Sequence, residues 1–519
     1  MRIADYLEIA ADRFPEREAI VFGSVRMTYA EAARYAHAIA NRLRKSTGSG
    51  SNANIGIYSP NDHRITLLEL GINRAGLAWV AVHDRNSIET NAQVISFMDC
   101  EMIFYGSTLE QSVAELKQLC PGVREWICID APSSHGEALD QWIEGCWQPF
   151  PWEPVALDNV AFIMPTGGTT GPSKGAVHTQ RSAEAEIVHL NASHYPGRGQ
   201  IKLLTIAPLS HVAGLFALAL LPNGGTNFIL RGFSADEVLD AIECERITHL
   251  FLPPTLVSAL LAHPRTATAD FSSLVVLTTG AAPIAPEKFK EAVRVFGPVM
   301  WEGFGQSETL TPVLIKRPED YIRADGSFNE DVLVSAGRAW DYVDVRILDD
   351  NGAFLPAGER GEIAVRSSCC MSCYYKNPQA TAETLVNGYV RTGDIGVMSR
   401  DGFVTILDRK KDMIVTGGFN VFPAEVEAII NEHPAVLDCI VVGVPDDRWG
   451  EAVRAVVQLK SGMSVSENEL IVLCKQRLGG VKSPKVIEIW PDLPRSAVGK
   501  LLRREVRSQF WKDRWRSVG

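Results

Sequence analysis

Residues Pro165 to Thr179 read PTGGTTGPSKGAVHT. Four glycines and the hydroxyls of Thr166, Thr169, Thr170 and Ser173 surround one lysine, Lys174. A Walker A loop needs G-x-x-x-x-G-K-[ST], so that its amides wrap the phosphates, the lysine reaches them and the next hydroxyl binds magnesium. Here Pro172 follows Gly171 and Gly175 follows Lys174, which argues against a P-loop nucleotidase. The chemistry still suits a polyphosphate, because glycines permit close backbone approach, hydroxyls donate and the lysine adds charge. The apolar runs VAFIM before the stretch and GAVHT within it read as strands. The segment is therefore either a phosphate cradle of another lineage or a flexible Gly/Thr loop between two strands. The remainder of the chain decides between these.

At 519 residues the chain exceeds one ordinary core, and a large domain with a smaller one is expected. With 51 Lys and Arg against 62 Asp and Glu the formal charge is −11, and no long basic run occurs. Nucleic acid and anionic membrane are thus disfavoured as main partners, and any phosphate site must be local. The N-terminal stretch MRIADYLEIAADRFPEREAI has the periodicity of an amphipathic helix and lacks an apolar core of signal-peptide length. The most apolar segment, VAGLFALALLP from Val212 to Pro222, is too short to span a bilayer and reads as a buried helix. Ten cysteines are scattered, with one tight cluster at Cys369, Cys370 and Cys373. A single C-x-x-C without a second pair or a nearby histidine is poor evidence for zinc, and reduced thiols in a cytoplasmic protein are expected.

Strand-like runs alternate with helical patterns: NIGIYS then DHRITLLELGINRAG, LLTIAP then the 212–222 segment, HLFLPP then TLVSALLAHP, SLVVLTTG then APEKFKEAVRVFG. This is the βαβ rhythm of a parallel sheet covered by helices, which binds ligands at the carboxyl ends of its strands. From about Ser335 the texture shifts to shorter strand-and-turn units, and then to a compact α+β pattern. The charged connector LDRKKDM marks a boundary, 1–408 against 409–519, although the same residues could form a hairpin turn.

In this order the pieces resemble the adenylate-forming superfamily of acyl-CoA and aryl-CoA synthetases, amino-acid adenylation domains and beetle luciferases. The resemblance runs over nearly the whole chain. It implies an α/β protein whose large N-terminal AMP-binding domain has helix-covered mixed and parallel sheets and a β-rich subdomain, followed by a small mobile C-terminal α+β domain. TGGTTGPSKG then resembles the family's phosphate loop, with Thr166, Gly167, Gly168, Thr169, Thr170, Gly171 and Lys174 gripping the pyrophosphate portion of ATP. TTGAAP, containing Gly280, Ala281 and Ala282, and EGFGQSET, containing Glu302, Gly303, Phe304, Gly305 and Ser307, resemble the adenine-site segments. Phe304 stands where tyrosine is usual and keeps an aromatic face. Glu308 matches the acidic residue that holds Mg2+, a hard cation suited to carboxylate oxygen. YVRTGDIG places Asp394 at the ribose aspartate, and LDRKKDMIVTGGFN places Arg409 at the ribose arginine and Lys411 at the hinge. Gly417 and Gly418 match the turn that lines the pantetheine tunnel, and Trp449 lies in a segment near the coenzyme A end. LPRSAVGKLLRREV makes Lys500 the lysine that meets the carboxylate and the α-phosphate, amid Arg495, Arg503 and Arg504, which otherwise read as exposed basic residues. The sequence departs from the pattern at Cys373, where glycine is usual, and in VAVHDRNS, which lacks the early motif's prolines.

The resemblance implies two half-reactions: acid plus ATP gives acyl-AMP and pyrophosphate, then the thiol of CoA displaces AMP. Lys174, Lys500 and magnesium on Glu308 would meet the developing phosphate charge, and no protein nucleophile is required. His211, a candidate catalytic residue, bears on specificity. Amino-acid adenylating relatives usually carry Phe-Asp here, whereas SHVAG offers no acid, which favours a fatty, alicyclic or aromatic acid with an uncharged tail. Ala213 and Gly214 are expected to leave room, with Val212, Leu215 and Trp301 as apolar wall. The alternative acceptor is a carrier-protein thiol, and self-association as a homodimer is left open.

Overall fold

The computed structural model describes residues 1–48, 50–166, 174–195, 200–446, 448–495 and 501–511, with only the backbone of 311 and 420. Two compact units partition the chain: one holds Met1–Val345 and Val365–Val390, the other Arg346–Ala364 and Arg391–Gly519.

The first unit contains two large sheets. One runs Cys373–Tyr374, Lys174–Thr179, Val160–Thr166, Ala78–Val82, Asn54–Tyr58, Cys100–Tyr105, Glu125–Cys128, Glu137–Ala138. From Val160–Thr166 onward its neighbours are parallel, and the first three strands are antiparallel. The other runs Arg338–Ala339, Leu310–Lys316, Met300–Gln306, Val276–Gly280, His249–Phe251, Lys202–Thr205, Thr226–Ile229, Glu18–Phe22, Val25–Thr28, parallel through its centre. The four strand–helix pairs expected from the sequence are present, with helices Arg64–Arg74, Val212–Leu218, Pro254–Leu261 and Pro286–Phe296. Val212–Leu218 is buried apart from its first residue, as a short apolar run flanked by turn residues requires.

Buried amides pin the loops that follow these strands. Asn61, just past Asn54–Tyr58, donates to the carbonyls of Ile206 and Ala207 at 3.1 Å and accepts from the Leu209 amide at 2.8 Å. Asn73 donates to the Ala161 carbonyl at 2.9 Å and accepts from Gln180 at 2.8 Å, joining a helix to the strand that enters the Gly/Thr stretch. Such satisfied buried polar groups fix loop positions that apolar packing alone would leave loose.

The second unit contributes residues 360–364, 391–398 and the strand Val404–Arg409 to a sheet in which Tyr389–Met398 and Val404–Arg409 are antiparallel. A further sheet orders Phe419–Val421, Ile414–Thr416, Gly450–Leu459 and Val436–Asp446, with Val486–Ile489 also paired to Gly450–Leu459. Cys439 and Val441 pack in one apolar cluster and Ile440 and Val442 in another. Both faces of that strand are covered, which is why CIVVGV is apolar without alternation. Lys410–Asp412 form a single 3₁₀ turn between strands of different sheets, so LDRKKDM is a connector and not a hairpin.

Candidate active site

The Gly/Thr stretch is flanked by a hairpin: Val160–Thr166 and Lys174–Thr179 are antiparallel, with Thr166 opposite Lys174. Gly167, Gly168, Thr169, Thr170 and Gly171 lie outside the described residues. Gly175 is a glycine of necessity, since a Cβ there would fall 2.6 Å from Met98 and Ile163 side-chain atoms. Cys373–Tyr374 extends the sheet beside Lys174–Thr179, with Tyr374 opposite Ala176. The Lys174 ammonium lies 4.8 Å from the centre of the Tyr374 ring, within cation–π range. The Tyr374 hydroxyl donates to Glu308 Oε1 at 2.7 Å, and the Met371 amide donates to the Glu308 carbonyl at 2.8 Å. Burial, and then the Glu308 carboxylate, push the Tyr374 phenol up, which keeps it a donor. His178 is buried, and its Nε2 lies 2.7 Å from the Ser307 carbonyl. Burial lowers His178 to about 4, so the ring is neutral and Nε2 carries the donated proton. Lys174, Ser307 and Glu308 are thus gathered by Tyr374 and His178, neither of which the sequence reading singled out.

The two segments expected at the adenine site sit side by side. Val276–Gly280 is parallel to Met300–Gln306, with Gly280 opposite Gly303. A Cβ on Gly280 would stand 2.5 Å from the Gly303 carbonyl oxygen, so the close approach needs glycine. Ala281 follows in the left-handed region at φ +67°, which strains a residue with a Cβ. Ala282, Gly303, Phe304, Gly305 and Ser307 are partly exposed at the carboxyl ends of these strands, where open α/β sheets take ligands. Glu302 differs from its neighbours. It is buried, opposite Lys316 in the antiparallel register, and its Oε2 lies 2.6 Å from a fully buried Lys316 ammonium. That ammonium also donates to the carbonyls of Leu333 and Ser335 at 2.9 Å. Burial raises the Glu302 carboxyl and Lys316 opposes the shift.

His211 precedes helix Val212–Leu218, and its Nδ1 lies 3.1 Å from Ser210 Oγ. The His83 ring meets it edge-on at 4.8 Å between centroids. Burial, then His83, lower His211 to about 4, so it is neutral at pH 7. His83 Nδ1 lies 3.1 Å from Asp84 Oδ1. The VAVHDRNS stretch, noted for its missing prolines, therefore brings an imidazole and an acid into the surroundings of His211. Gly214 serves packing, because a Cβ there would lie 2.0 Å from the Leu209 carbonyl oxygen. Ala213 and Leu215 are buried, and Trp301 packs against His194 at 5.4 Å with the Arg317 guanidinium 5.2 Å over its ring.

In the second unit Asp394 and Arg409 are cross-strand partners joined by a 3.0 Å ion pair. Lys411 is exposed on the connector turn. Gly417 has φ +57°, donates its amide to the Trp449 carbonyl at 2.8 Å, and would place a Cβ 2.5 Å from Trp449 Cε3. Gly418 has φ +81° with open space around it. Lys500 lies outside the described residues. Arg503 is no solvated surface cation: its guanidinium meets Glu427 through two 2.8 Å hydrogen bonds, Asp412 at 3.1 Å and Asp408 at 3.3 Å. Arg504 is exposed.

A chain with this pair of sheets and this loop set belongs to the AMP-binding enzyme family, whose description matches residues 7–375. The family's C-terminal domain matches residues 425–500. Among curated relatives, the medium/long-chain-fatty-acid–CoA ligase FadD8 of Mycobacterium tuberculosis is 34% identical over 538 residues, covering 98% of this chain and 90% of that protein. The feruloyl-CoA synthase of an Amycolatopsis species is 32% identical over 498 residues, covering 96% of each. The amide bond synthetase McbA of Marinactinospora thermotolerans superposes with a TM-score of 0.88 at 29% identity, covering 98% of this chain and 100% of that one. Among the described residues no helix is long and apolar enough to cross a membrane.

Proposed function

We propose that this enzyme is an ATP-dependent carboxylic acid–CoA ligase that works through an acyl-adenylate and prefers acids with an uncharged tail. The observation that carries this reading is the Lys174–Tyr374–Glu308 group beside the hairpin, a cation and a carboxylate held by one phenol at a loop rich in glycine and hydroxyls. The relatives named for fatty-acid and feruloyl substrates support acids of both kinds.

In the first half-reaction a substrate carboxylate oxygen attacks the α-phosphorus of ATP and the bond to pyrophosphate breaks. Lys174 faces the polyphosphate and stabilises the charge that gathers on the leaving group. Glu308 fits a magnesium site: it is a hard oxygen donor, partly exposed, with one oxygen steadied by Tyr374. Bound there, Mg2+ supplies positive charge to the phosphate oxygens. The strand ends carrying Gly280, Ala281, Ala282, Gly303, Phe304, Gly305 and Ser307 receive adenine, while Glu302 supports their strand from beneath through Lys316. Asp394 accepts from the ribose hydroxyls and Arg409 orients it. Neutral His211 and the apolar residues after it face the acid, whose tail therefore meets no formal charge from that helix. In the second half-reaction the thiol sulfur of CoA attacks the acyl carbon, AMP leaves with the bonding electrons, and the thiol proton passes to solvent. Gly417, Gly418 and Trp449 line the approach of the pantetheine arm, and Lys411 is the hinge between the two arrangements.

Lys500 tests this scheme. Replacing it with alanine should slow adenylate formation on the order of a hundredfold to a thousandfold, by analogy with loss of one oxyanion donor. Thioester formation from chemically prepared acyl-AMP should be nearly unchanged. Arg504→Ala, at an exposed position, should leave both steps close to normal. Adenylate formation by Lys500→Ala at near wild-type rate would refute the assignment.

A further inference from the structure

Helix Gln180–Ser193 carries Glu186 and His189 three residues apart, a spacing that sets both on one face. That face is turned inward: Glu186 is 1% exposed and His189 4%, while Val188 between them is 52% exposed. Cys369, itself 4% exposed, arrives from the far end of the first unit's sequence and completes a cluster whose ligand atoms all lie within 4.8 Å of one another. Its Sγ is 3.9 Å from His189 Nδ1. The sequence held out little hope for zinc at the C-x-x-C because no histidine stood near it. The fold supplies the histidine, and the cysteine that meets it lies just outside the C-x-x-C pair.

We propose that Glu186, His189 and Cys369 form a binding site for a zinc-class divalent cation, with water as the fourth ligand. The donor set is thiolate, imidazole and carboxylate, the combination that borderline-soft Zn2+ takes. Geometry agrees: tetrahedral bonds of about 2.3 Å to sulfur and 2.0 Å to nitrogen separate the two ligand atoms by about 3.5 Å, and they stand 3.9 Å apart here. Charge agrees as well. One thiolate and one carboxylate neutralise a dication, so the filled site carries no net charge in buried surroundings where a net charge is costly. Binding as a thiolate means that the Cys369 proton is released as the cation enters. The neutral imidazole of His189 offers a nitrogen lone pair to the metal. The Trp340 ring packs on His189 at 4.5 Å and sets its orientation. Arg317 and Asp341, the other charged groups that His189 senses, are paired with each other at 2.9 Å.

The site has a structural consequence. It staples the 367–371 stretch to the helix, and within that stretch the Met371 amide holds the Glu308 carbonyl. It shares no ligand with the magnesium position proposed on Glu308, and its test does not depend on the reaction proposed above.

The test uses the full chain, stripped with a chelator and titrated with Zn2+ or Co2+ in the absence of nucleotide and magnesium. About one equivalent should be retained, and the cobalt form should show thiolate-to-metal charge-transfer absorption. Cys369→Ser should abolish that absorption and weaken binding by more than about a hundredfold, beyond the loss typical of an outer-shell partner. Glu186→Gln, which keeps the side chain's shape, should weaken binding while leaving the thiolate band. Cys370→Ser and Cys373→Ser should bind as the parent does. Absence of the absorption in the parent protein, or its persistence in Cys369→Ser, would overturn the proposal.

Discussion

Arg503→Met should unfasten the second unit in a pH-dependent way. The guanidinium is the shared partner of three carboxylates, with Asp408 only 3% exposed, Glu427 17% and Asp412 23%. Asp408 also accepts from the Arg409 and Ala424 amides, at the start of the connector and of helix Pro423–Asn431. Methionine keeps most of the volume and removes the charge. Breaking a buried pair from one side costs about 3–5 kcal/mol, and since the arginine side chain keeps 23% of its exposure the lower end applies, about 3 kcal/mol. That is a change of about a hundredfold in the folded ratio. Burial already raises both Glu427 and Asp408, with Arg503 opposing the shift. Without the arginine both carboxyls rise further above their unfolded values, so the folded variant binds more protons than the unfolded chain. Its deficit is therefore smallest at pH below the unfolded values and grows as pH rises through them to the raised folded values. Urea titration of the second unit's transition, followed at pH 5 and pH 8, reads this directly. A loss below about 0.5 kcal/mol, the level of an ordinary surface substitution, or an equal loss at both pH values, would refute the reasoning.

Lys411→Pro fixes φ on the connector turn and should preserve adenylate formation better than thioester formation; rapid-quench measurement of each half-reaction checks this, and equal losses in an intact fold would indicate general damage. Gly417→Val forces a β-branched side chain into the left-handed region and against Trp449, so the second unit should lose about 1–2 kcal/mol. The same variant should slow thioester formation while pyrophosphate exchange stays near normal, and an unaffected thioester step would remove the turn from the thiol path.

The βα units were legible because their apolar runs and helical periods are local signals, and the hairpin that bears Lys174 follows from the strands on either side of its glycines. What the sequence hid is long-range. Tyr374 and His178 gain meaning only when the sheet places them beside Glu308 and Ser307, and nothing in their own neighbourhoods announces it. Glu302 sits inside a recognisable segment, yet it is buried and pairs with Lys316 across the sheet. Gly214 reads as free space, but its missing side chain admits the Leu209 carbonyl. Arg503 looks like one more cation in a basic tail, since its three carboxylate partners are spread from 408 to 427. His83 could have been suspected from the departure in VAVHDRNS, a stretch that lacks the expected prolines and sets His83 beside Asp84.

The most direct measurement is AMP release and acyl-CoA formation by the purified enzyme with ATP, magnesium and CoA across a panel of fatty, alicyclic, aromatic and amino acids. AMP and acyl-CoA in equal amounts, with an uncharged-tail acid as the best substrate, is the predicted result. Faster pyrophosphate exchange with a free amino acid than with any fatty or aryl acid, or adenylate that never passes to CoA, would contradict it.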